Sequence, residues 1–560
     1  MSTPVPQPST RPLPPQLPGA HIPIQSPSGA PSQLQATQTV TQKAIASSVT
    51  KRSRLVRNVL SNWSGYIFSV VVSFFLAPYV VNHLGTTAYG VWSLVISLTG
   101  YLGLLDLGVR GAVTRYVARF HAQADHQRSS QVASAAMAIF AGTGIVTISA
   151  SLFLATGVVG RMNIPATYLS AARWVLVLTG VSIAVSLING VYGGMLIALQ
   201  RFDLSNGIEV VTAGLRAVAI VVALDRGLGL ITLACIQFGF TLLRLLANLV
   251  LLYKLYPQVQ VRPRSADAQN LRLIFSFSVF SCLLHASRNL IYDSDLVVIG
   301  VAGYLPITAV TFYAIGGNLV DYARALISGI SQTMTPLASS LEAKQGTSGV
   351  RELLLKSSPW GTIVALPIAI TFLIRGNSFI ELWMGAQFAE ASGDVLKILA
   401  IVMLFGASAS IVGSVLLGIS RHKPLVPALV AEGLCNLALS IWLVRKMGII
   451  GVAWGTLIPS LFTNLVFIPW YVRRVLEVSP WRYAQSAWLK PCLAAVPFAI
   501  ITYAVEQLWP ASSLLVFFVQ VALCLPFLLA CDWRICLNAN QRLEYLQKFT
   551  STVGRVSVRT

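Results

Sequence analysis

Apolar runs long enough to cross a bilayer, roughly 20 residues each, recur through most of the 560-residue chain. About fourteen can be counted. They lie near 59–81, 87–109, 132–158, 168–198, 208–224, 228–253, 273–300, 307–333, 359–375, 393–417, 425–445, 449–472, 490–506 and 511–530. Unbroken apolarity over such lengths predicts helices, because a helix satisfies its own backbone polar groups inside lipid. The pattern therefore predicts an all-α, polytopic membrane protein. Pro78, Pro367 and Pro459 fall inside runs, which membrane helices tolerate when neighbours satisfy the freed backbone groups. Residues 1–50 break the pattern. They are rich in Pro, Ser, Gln and Thr and contain no Asp or Glu, a composition that cannot bury a core and reads as a disordered tail. No apolar stretch follows a charged start, so the tail does not read as a secretory signal. Its Pro-rich part is either a plain unstructured tail or a dock for a partner domain.

The polar positions inside the runs carry the candidate chemistry. In 273–300, Ser278, Ser281, His285, Arg288, Tyr292 and Asp295 recur at spacings of three and four, which places them on one helical face. That stripe rises roughly 25 Å, most of the hydrocarbon thickness. Lipid cannot satisfy those groups, so the face turns to protein or to water inside a bundle. Glu209, Thr212 and Arg216 share a face in the fifth run. Gln237, Thr241, Arg244 and Asn248 do so in the sixth, and Asn318, Asp321 and Arg324 in the eighth. Asn62, Tyr66, Ser69 and Ser73 form a milder stripe in the first run, which suits a cavity wall or helix packing equally.

Four arginines thus fall near mid-membrane depth, where a lipid-facing charge costs about 3 kcal/mol on insertion scales. Arg216, Arg244, Arg288 and Arg324 are candidates for binding an anionic substrate, because guanidinium offers a permanent, forked set of donors. The competing reading pairs them with Glu209, Asp293, Asp295 and Asp321. Asp293 and Asp295 are also candidates for holding a coupling proton or sodium ion. His285 is either a proton carrier or a hydrogen-bonded core histidine.

Composition agrees with the pattern: 55% of residues are hydrophobic and 11% charged, against about 25% charged in soluble domains. The formal net charge of +21 does not signal nucleic acid, because no soluble basic domain carries it. Most Lys and Arg fall in alternate connections, at 51–57, 110–128, 201, 254–272, 344–356, 421–423, 473–490 and the C-terminal tail. The positive-inside rule places that set, and both termini, in the cytoplasm. The opposite connections are short, the longest expected at 376–392. The seven cysteines show neither pairing pattern nor metal-ligand spacing. No metal or other cofactor is expected, beyond coupling to H+ or Na+.

Shifting the chain by about 221 residues brings Thr87-Ala88 onto Thr308-Ala309, Trp92 onto Tyr313 and Gly227 onto Gly448. The turn at Gln200-Arg201 meets Arg421-His422. One register over six runs predicts two six-helix lobes of like orientation, 55–254 and 273–472. Two extra helices follow at 488–530, then a cytoplasmic tail at 531–560.

Leu84 to Phe120 is the most distinctive local segment, LGTTAYGVWSLVISLTGYLGLLDLGVRGAVTRYVARF. Its end carries Arg110, Arg115 and Arg119, with Asp106 as an i, i+4 partner for Arg110. This is either a topology signal with a capped helix end, or an inner gate and basic rim. With its LG-x-x-x-YG-x-W turn and DLG-x-x-x-A-x-x-R end, the segment resembles the polysaccharide transporters of the multidrug/oligosaccharidyl-lipid/polysaccharide flippase superfamily. DLVVIG (Asp295 to Gly300) and LWMGAQFAEASGDVLKIL (Leu382 to Leu399) resemble the same family. The likeness covers about residues 55–475 and does not include the Pro-rich tail.

The resemblance implies two six-helix lobes around a central cavity, alternating access, and a lipid-linked oligosaccharide carried across a bacterial inner membrane for surface polysaccharide biosynthesis. It gives the four arginines the pyrophosphate by location only. The expected partners are that substrate, membrane lipids and other polysaccharide-assembly proteins. A cation-coupled drug or metabolite exporter is the alternative, and would favour acidic over basic cavity residues. A membrane glycan polymerase or ligase would need a sizeable outer loop bearing catalytic groups. The short outer loops argue against such an enzyme, and a scaffold would have no use for the buried charges.

Overall fold

The computed structural model describes residues 65, 67–262, 267–301, 303–537, 539, 542, 543 and 547. The side chains of 268 and 276–281 lie outside that description. The N-terminal tail, Asn62, Tyr66 and the side chains of Ser278 and Ser281 therefore fall outside the described residues, as does most of the C-terminal tail.

The described residues are helical with no strand. The first helix, α1, is Ile67–Leu84. Then come α2 (Thr86–Gly100), α3 (Val109–Ala122), α4 (His126–Phe153), α5 (Ala166–Ala198), α6 (Phe202–Asp225) and α7 (Leu230–Leu255). Next are α8 (Ala268–Tyr292), α9 (Ser294–Val301), α10 (Thr308–Gln332), α11 (Met334–Met384), α12 (Ala386–Gly418) and α13 (Leu425–Phe462). Last come α14 (Ile468–Leu476), α15 (Pro480–Ala484), α16 (Lys490–Leu508) and α17 (Leu514–Ile535).

Eleven helical segments are long and apolar enough to span a membrane. Two of them, Thr308–Met384 and Leu425–Leu476, contain two crossings each, and α8 at 25 residues is itself long enough to span. That accounts for the fourteen runs of the sequence. Within those two segments the chain reverses without leaving helix: Gly448 bends α13 at φ 60 and Gly346 bends α11 at φ 64, a backbone region open to glycine at little cost.

Turns in the first half recur in the second at offsets near that of the sequence repeat. Ala124 and Gly346, Gln200 and Ser420, and Gly227 and Gly448 all have positive φ. Helices α5 and α12 are both 33 residues long.

Three sequence expectations change. The connection expected at 376–392 does not exist, because α11 continues to Met384 and meets α12 through Gly385 alone. The polar residues that suggested a loop are used inside the bundle. Ser378 donates to Glu506, and Gly376 packs on Leu396. The seventh run is not one helix, since α8 ends at Tyr292 and α9 starts at Ser294. Asp106 does not form a side-chain pair with Arg110. The chain passes through a 3-10 turn, Tyr101–Asp106, and left-handed Leu107 and Gly108, so Asp106 Oδ1 accepts the backbone N–H of Arg110 at 3.4 Å at the start of α3.

The core has a revealing distribution. One apolar cluster joins both halves at the membrane face where Gly85, Gly227, Gly385 and Gly448 turn, and includes Val91, Leu94, Val310, Phe388 and Val452. At the opposite face the core divides into two clusters, one of the first half joined by Ile274 of α8 and one of the second half extended by Tyr483, Ala487 and Trp488. The first gathers Val113, Phe140 and Leu196; the second gathers Val350, Val415 and Val472. The shared end is tied by hydrogen bonds across the halves. Thr311 Oγ1 donates to the Thr86 carbonyl at 2.6 Å, Ser97 Oγ to that of Asp293 at 2.6 Å, and Trp383 Nε1 to that of Phe74 at 3.0 Å. Helices α2 and α10 approach so closely that a Cβ on Gly90 would strike the Ile307 carbonyl. Cavities open where the shared core ends.

Candidate functional site

The stripes read from the sequence come together as two polar cavities, one in each half. In the first half a cavity of about 200 Å³ is bounded by α5, α6 and α7. Glu209, Thr212 and Arg216 face it from α6, and Gln237, Thr241 and Arg244 from α7, as their spacing requires. Arg244 is ion-paired with Glu209. Arg216 Nη1 donates to Gln237 Oε1 at 2.7 Å and has no acid partner among the described residues. Asn248, the next member of the α7 stripe, is buried and donates to Asn189 Oδ1 at 2.8 Å, so it ties α7 to α5.

Arg110 joins this group from α3. It is exposed, its guanidinium reaches Gly193 of α5, where a Cβ would stand 3.9 Å from its Nη2, and Arg244 and Glu209 are its electrostatic neighbours. Arg110 and Arg115 also line a third cavity of about 740 Å³ with Asp106, His285 and Asn289.

The second-half cavity holds about 380 Å³ between α8, α10, α12 and α13. Arg324 Nη1 donates to Asp321 Oδ1 at 3.0 Å, and its guanidinium sits 4.0 Å from the Tyr292 ring centroid. Its Nη2 is buried without a hydrogen-bond partner. Arg288 lines the same cavity and is exposed to it. Among the described residues Arg288 makes no ion pair or hydrogen bond, which sets it apart from Arg216, Arg244 and Arg324. His285 borders both this cavity and the third one. It is exposed and makes no hydrogen bond among the described residues.

The break after Tyr292 takes Asp295 into a buried hydroxyl network, while Asp293 stays an electrostatic neighbour of Arg324 and Arg288. Asp295 is 2% exposed. Its Oδ2 accepts from Tyr313 Oη at 2.5 Å and Thr456 Oγ1 at 2.8 Å, while Oδ1 has no partner. Asn436 and Ser440 extend the network, and Asn436 Nδ2 donates to the Ile291 carbonyl at 2.7 Å. Asp293 is half-buried, and its carbonyl accepts from Ser97.

Sequence reasoning passed over three buried charges: Asp532 in α17, 6% exposed, and two that bear on the packing of the second half. Glu432, 6% exposed, lines the second-half cavity from α13. Arg375, 1% exposed, lies between α11, α16 and α17. The signal for both was a lone ionisable residue within or at the edge of an apolar run.

Fourteen crossings around polar, cation-bearing cavities define a multi-pass membrane protein with a transporter fold. Residues 55–342 match the family described as "Polysaccharide biosynthesis protein", and the chain belongs to that family. It is similar to the protein named "Putative O-antigen transporter" from Shigella flexneri, with 21% identity over 77% of this chain and 98% of the relative. "Probable flippase AglR" from Haloferax volcanii is 21% identical over 80% of this chain and 90% of its own. Among solved structures, the lipid II flippase MurJ in an inward closed conformation superposes with a TM-score of 0.65 at 13% identity, covering 85% of this chain and 98% of MurJ. An inward-facing multidrug resistance MATE family transporter gives 0.61 at 12% identity, over 75% and 98% of the two chains. At these identities the superpositions bear on fold alone.

Proposed function

We propose that this protein flips a lipid-linked oligosaccharide, held by its polyprenyl pyrophosphate, across the bacterial inner membrane for surface polysaccharide assembly. The observation that carries this reading is Arg288: a guanidinium exposed in an intramembrane cavity that makes no ion pair or hydrogen bond among the described residues, with Asp293 only an electrostatic neighbour. A charge in that position is costly unless its partner arrives from outside the chain. A diphosphate suits it, because the planar fork binds phosphate through two parallel hydrogen bonds. Arg324, with a buried Nη2 still unpartnered, completes that anion site. Arg216 and Arg244 contact the substrate from the other half.

The basic connections favour a cytoplasmic position for the face where the core divides, and for both termini. The cavities then open inward. Lobes 55–254 and 273–472 rock about the shared core to carry the head across, with the polyprenyl chain left in lipid. Thiol labelling of Arg115→Cys from the cytoplasmic side only is the expected result; labelling from outside reverses the orientation. No bond chemistry is assigned to the protein. The runner-up is a cation-coupled drug or metabolite exporter, which the buried acids Asp295 and Glu432 favour. Substituting Arg288 in a strain that depends on this protein separates the two. Loss of surface polysaccharide at normal protein abundance supports the flippase, and wild-type polysaccharide sinks it.

Asp321 and Glu209 serve as charge partners in this scheme, and Asp293 sits at the closure between halves. Asp295 is the coupling residue. A carboxylate so deeply buried, facing Tyr313, Thr456, Asn436 and Ser440, is neutralised most cheaply by a proton or a sodium ion. The expected result for Asp295→Asn is transport that no longer responds to a Na+ or pH gradient. Full gradient dependence in that variant removes Asp295 from the coupling step.

A further inference from the structure

The first-half cavity is poorly built for a diphosphate and well built for a sugar. Of its two wall cations Arg244 is ion-paired with Glu209, and Arg216, which donates one N–H to Gln237, is left as a single cation for an anion. The rest of its wall carries hydroxyls and amides: Thr179, Ser182, Asn189, Thr212, Gln237 and Thr241. The Thr179 hydroxyl has no hydrogen-bond partner among the described residues. A closely spaced set of neutral donors and acceptors matches the several hydroxyls of a pyranose ring. At about 30 Å³ per water, the cavity of about 200 Å³ displaces roughly six waters, the size of one hexose.

The charge balance narrows the sugar. Glu209 is the one acid in the wall and already belongs to Arg244. Arg216 hydrogen-bonds a neutral amide through one nitrogen and has Glu209 only as an electrostatic neighbour shared with Arg244, which leaves its remaining N–H groups to a ligand. Arg110 adds a further cation nearby. We propose that the α5–α6–α7 cavity is a monosaccharide subsite that selects a carboxylate-bearing sugar, with Arg216 on the carboxylate and Gln237, Thr241 and Thr212 on ring hydroxyls. This rests on the flippase reading and divides the labour within it. The second-half arginines hold the diphosphate, and the first half reads the glycan.

The test uses the full chain in nanodiscs, titrated separately with glucuronate, glucose and inorganic pyrophosphate and followed by thermal unfolding. Glucuronate should stabilise the wild type at concentrations at least tenfold below those glucose requires. Arg216→Gln should weaken the glucuronate response tenfold or more while changing the pyrophosphate response less than threefold; that retained response also shows the variant is folded. Gln237→Ala should weaken both sugars and spare pyrophosphate. Arg288→Gln should do the reverse, losing pyrophosphate and keeping glucuronate. Equal responses to glucuronate and glucose, or a glucuronate response indifferent to Arg216→Gln, overturn the subsite. If Arg216→Gln instead removes the pyrophosphate response, the cavity is the anion site and the sugar assignment is wrong, with the flippase reading intact. If the wild type answers to neither pyrophosphate nor glucuronate, the flippase reading falls and takes the subsite with it.

Discussion

Arg288→Ala is expected to cut transport of the lipid-linked substrate by roughly 10- to 150-fold while leaving the protein folded and at normal abundance. The size follows from a charge-assisted hydrogen-bonding group, worth about 1.5–3 kcal/mol, with each 1.4 kcal/mol a factor of ten. The intact fold follows from the same geometry. Arg288 makes no ion pair or hydrogen bond among the described residues, and Asp293, its electrostatic neighbour, keeps Arg324 beside it, so removing Arg288 breaks no direct contact and opens no packed core. Arg288→Lys should recover part of the loss, because an ammonium restores charge but not the planar fork. Surface polysaccharide in a complementation strain, read beside membrane abundance, makes the measurement. Arg324→Ala is a useful contrast: it strips Asp321 of its ion pair and Tyr292 of its cation, so abundance should fall along with activity. Wild-type transport by Arg288→Ala would end the headgroup assignment.

Arg375→Ala should act on stability instead. Its guanidinium is 1% exposed and bonds Glu506 Oε2 at 2.5 Å and Gln520 Oε1 at 2.7 Å, with the Phe517 ring centroid 4.4 Å away. Those partners lie on α16 and α17, so one side chain of α11 holds the C-terminal hairpin to the second half. Removing it strands Glu506 in a low-dielectric setting, a loss of about 3–5 kcal/mol by comparison with broken buried pairs. The expected readout is a lower unfolding midpoint and reduced abundance. The double variant Arg375→Met with Glu506→Met should recover most of the loss, because replacing both partners removes the stranded charge. An unchanged midpoint in Arg375→Ala would show that the hairpin is held otherwise. The Ser378–Glu506 hydrogen bond and the aromatic stack of Phe74, Phe379 and Trp383 beside Phe517 and Phe518 are further contacts available to it. That stack also reaches α1, so the hairpin bears on the shared end of both halves.

The two predictions separate because burial and pairing separate the two arginines. Both sit in apolar helices. Arg375 was passed over because its partners are 131 and 145 residues away. Arg288 stood out because its neighbours on one helix face are polar as well. The missing loop at 376–392 has the same origin. Gly376, Asn377 and Ser378 look like a surface turn until α12 and α16 are packed against them.

The chain's own pattern determined the helical class, the number of crossings, the repeat offset and the face of each helix that is polar. All of these are local or periodic quantities, set by a solvent that admits only satisfied backbones and apolar surfaces. Tertiary structure decided how the charges are shared. It buried Asp295 in a hydroxyl network after the break at Tyr292, gave Glu209 to Arg244 and Asp321 to Arg324, brought Arg110 to the first-half cavity and left Arg288 without an ion pair or hydrogen bond among the described residues. Pairing between helices depends on their relative rotation and depth, which hydrophobic period does not encode.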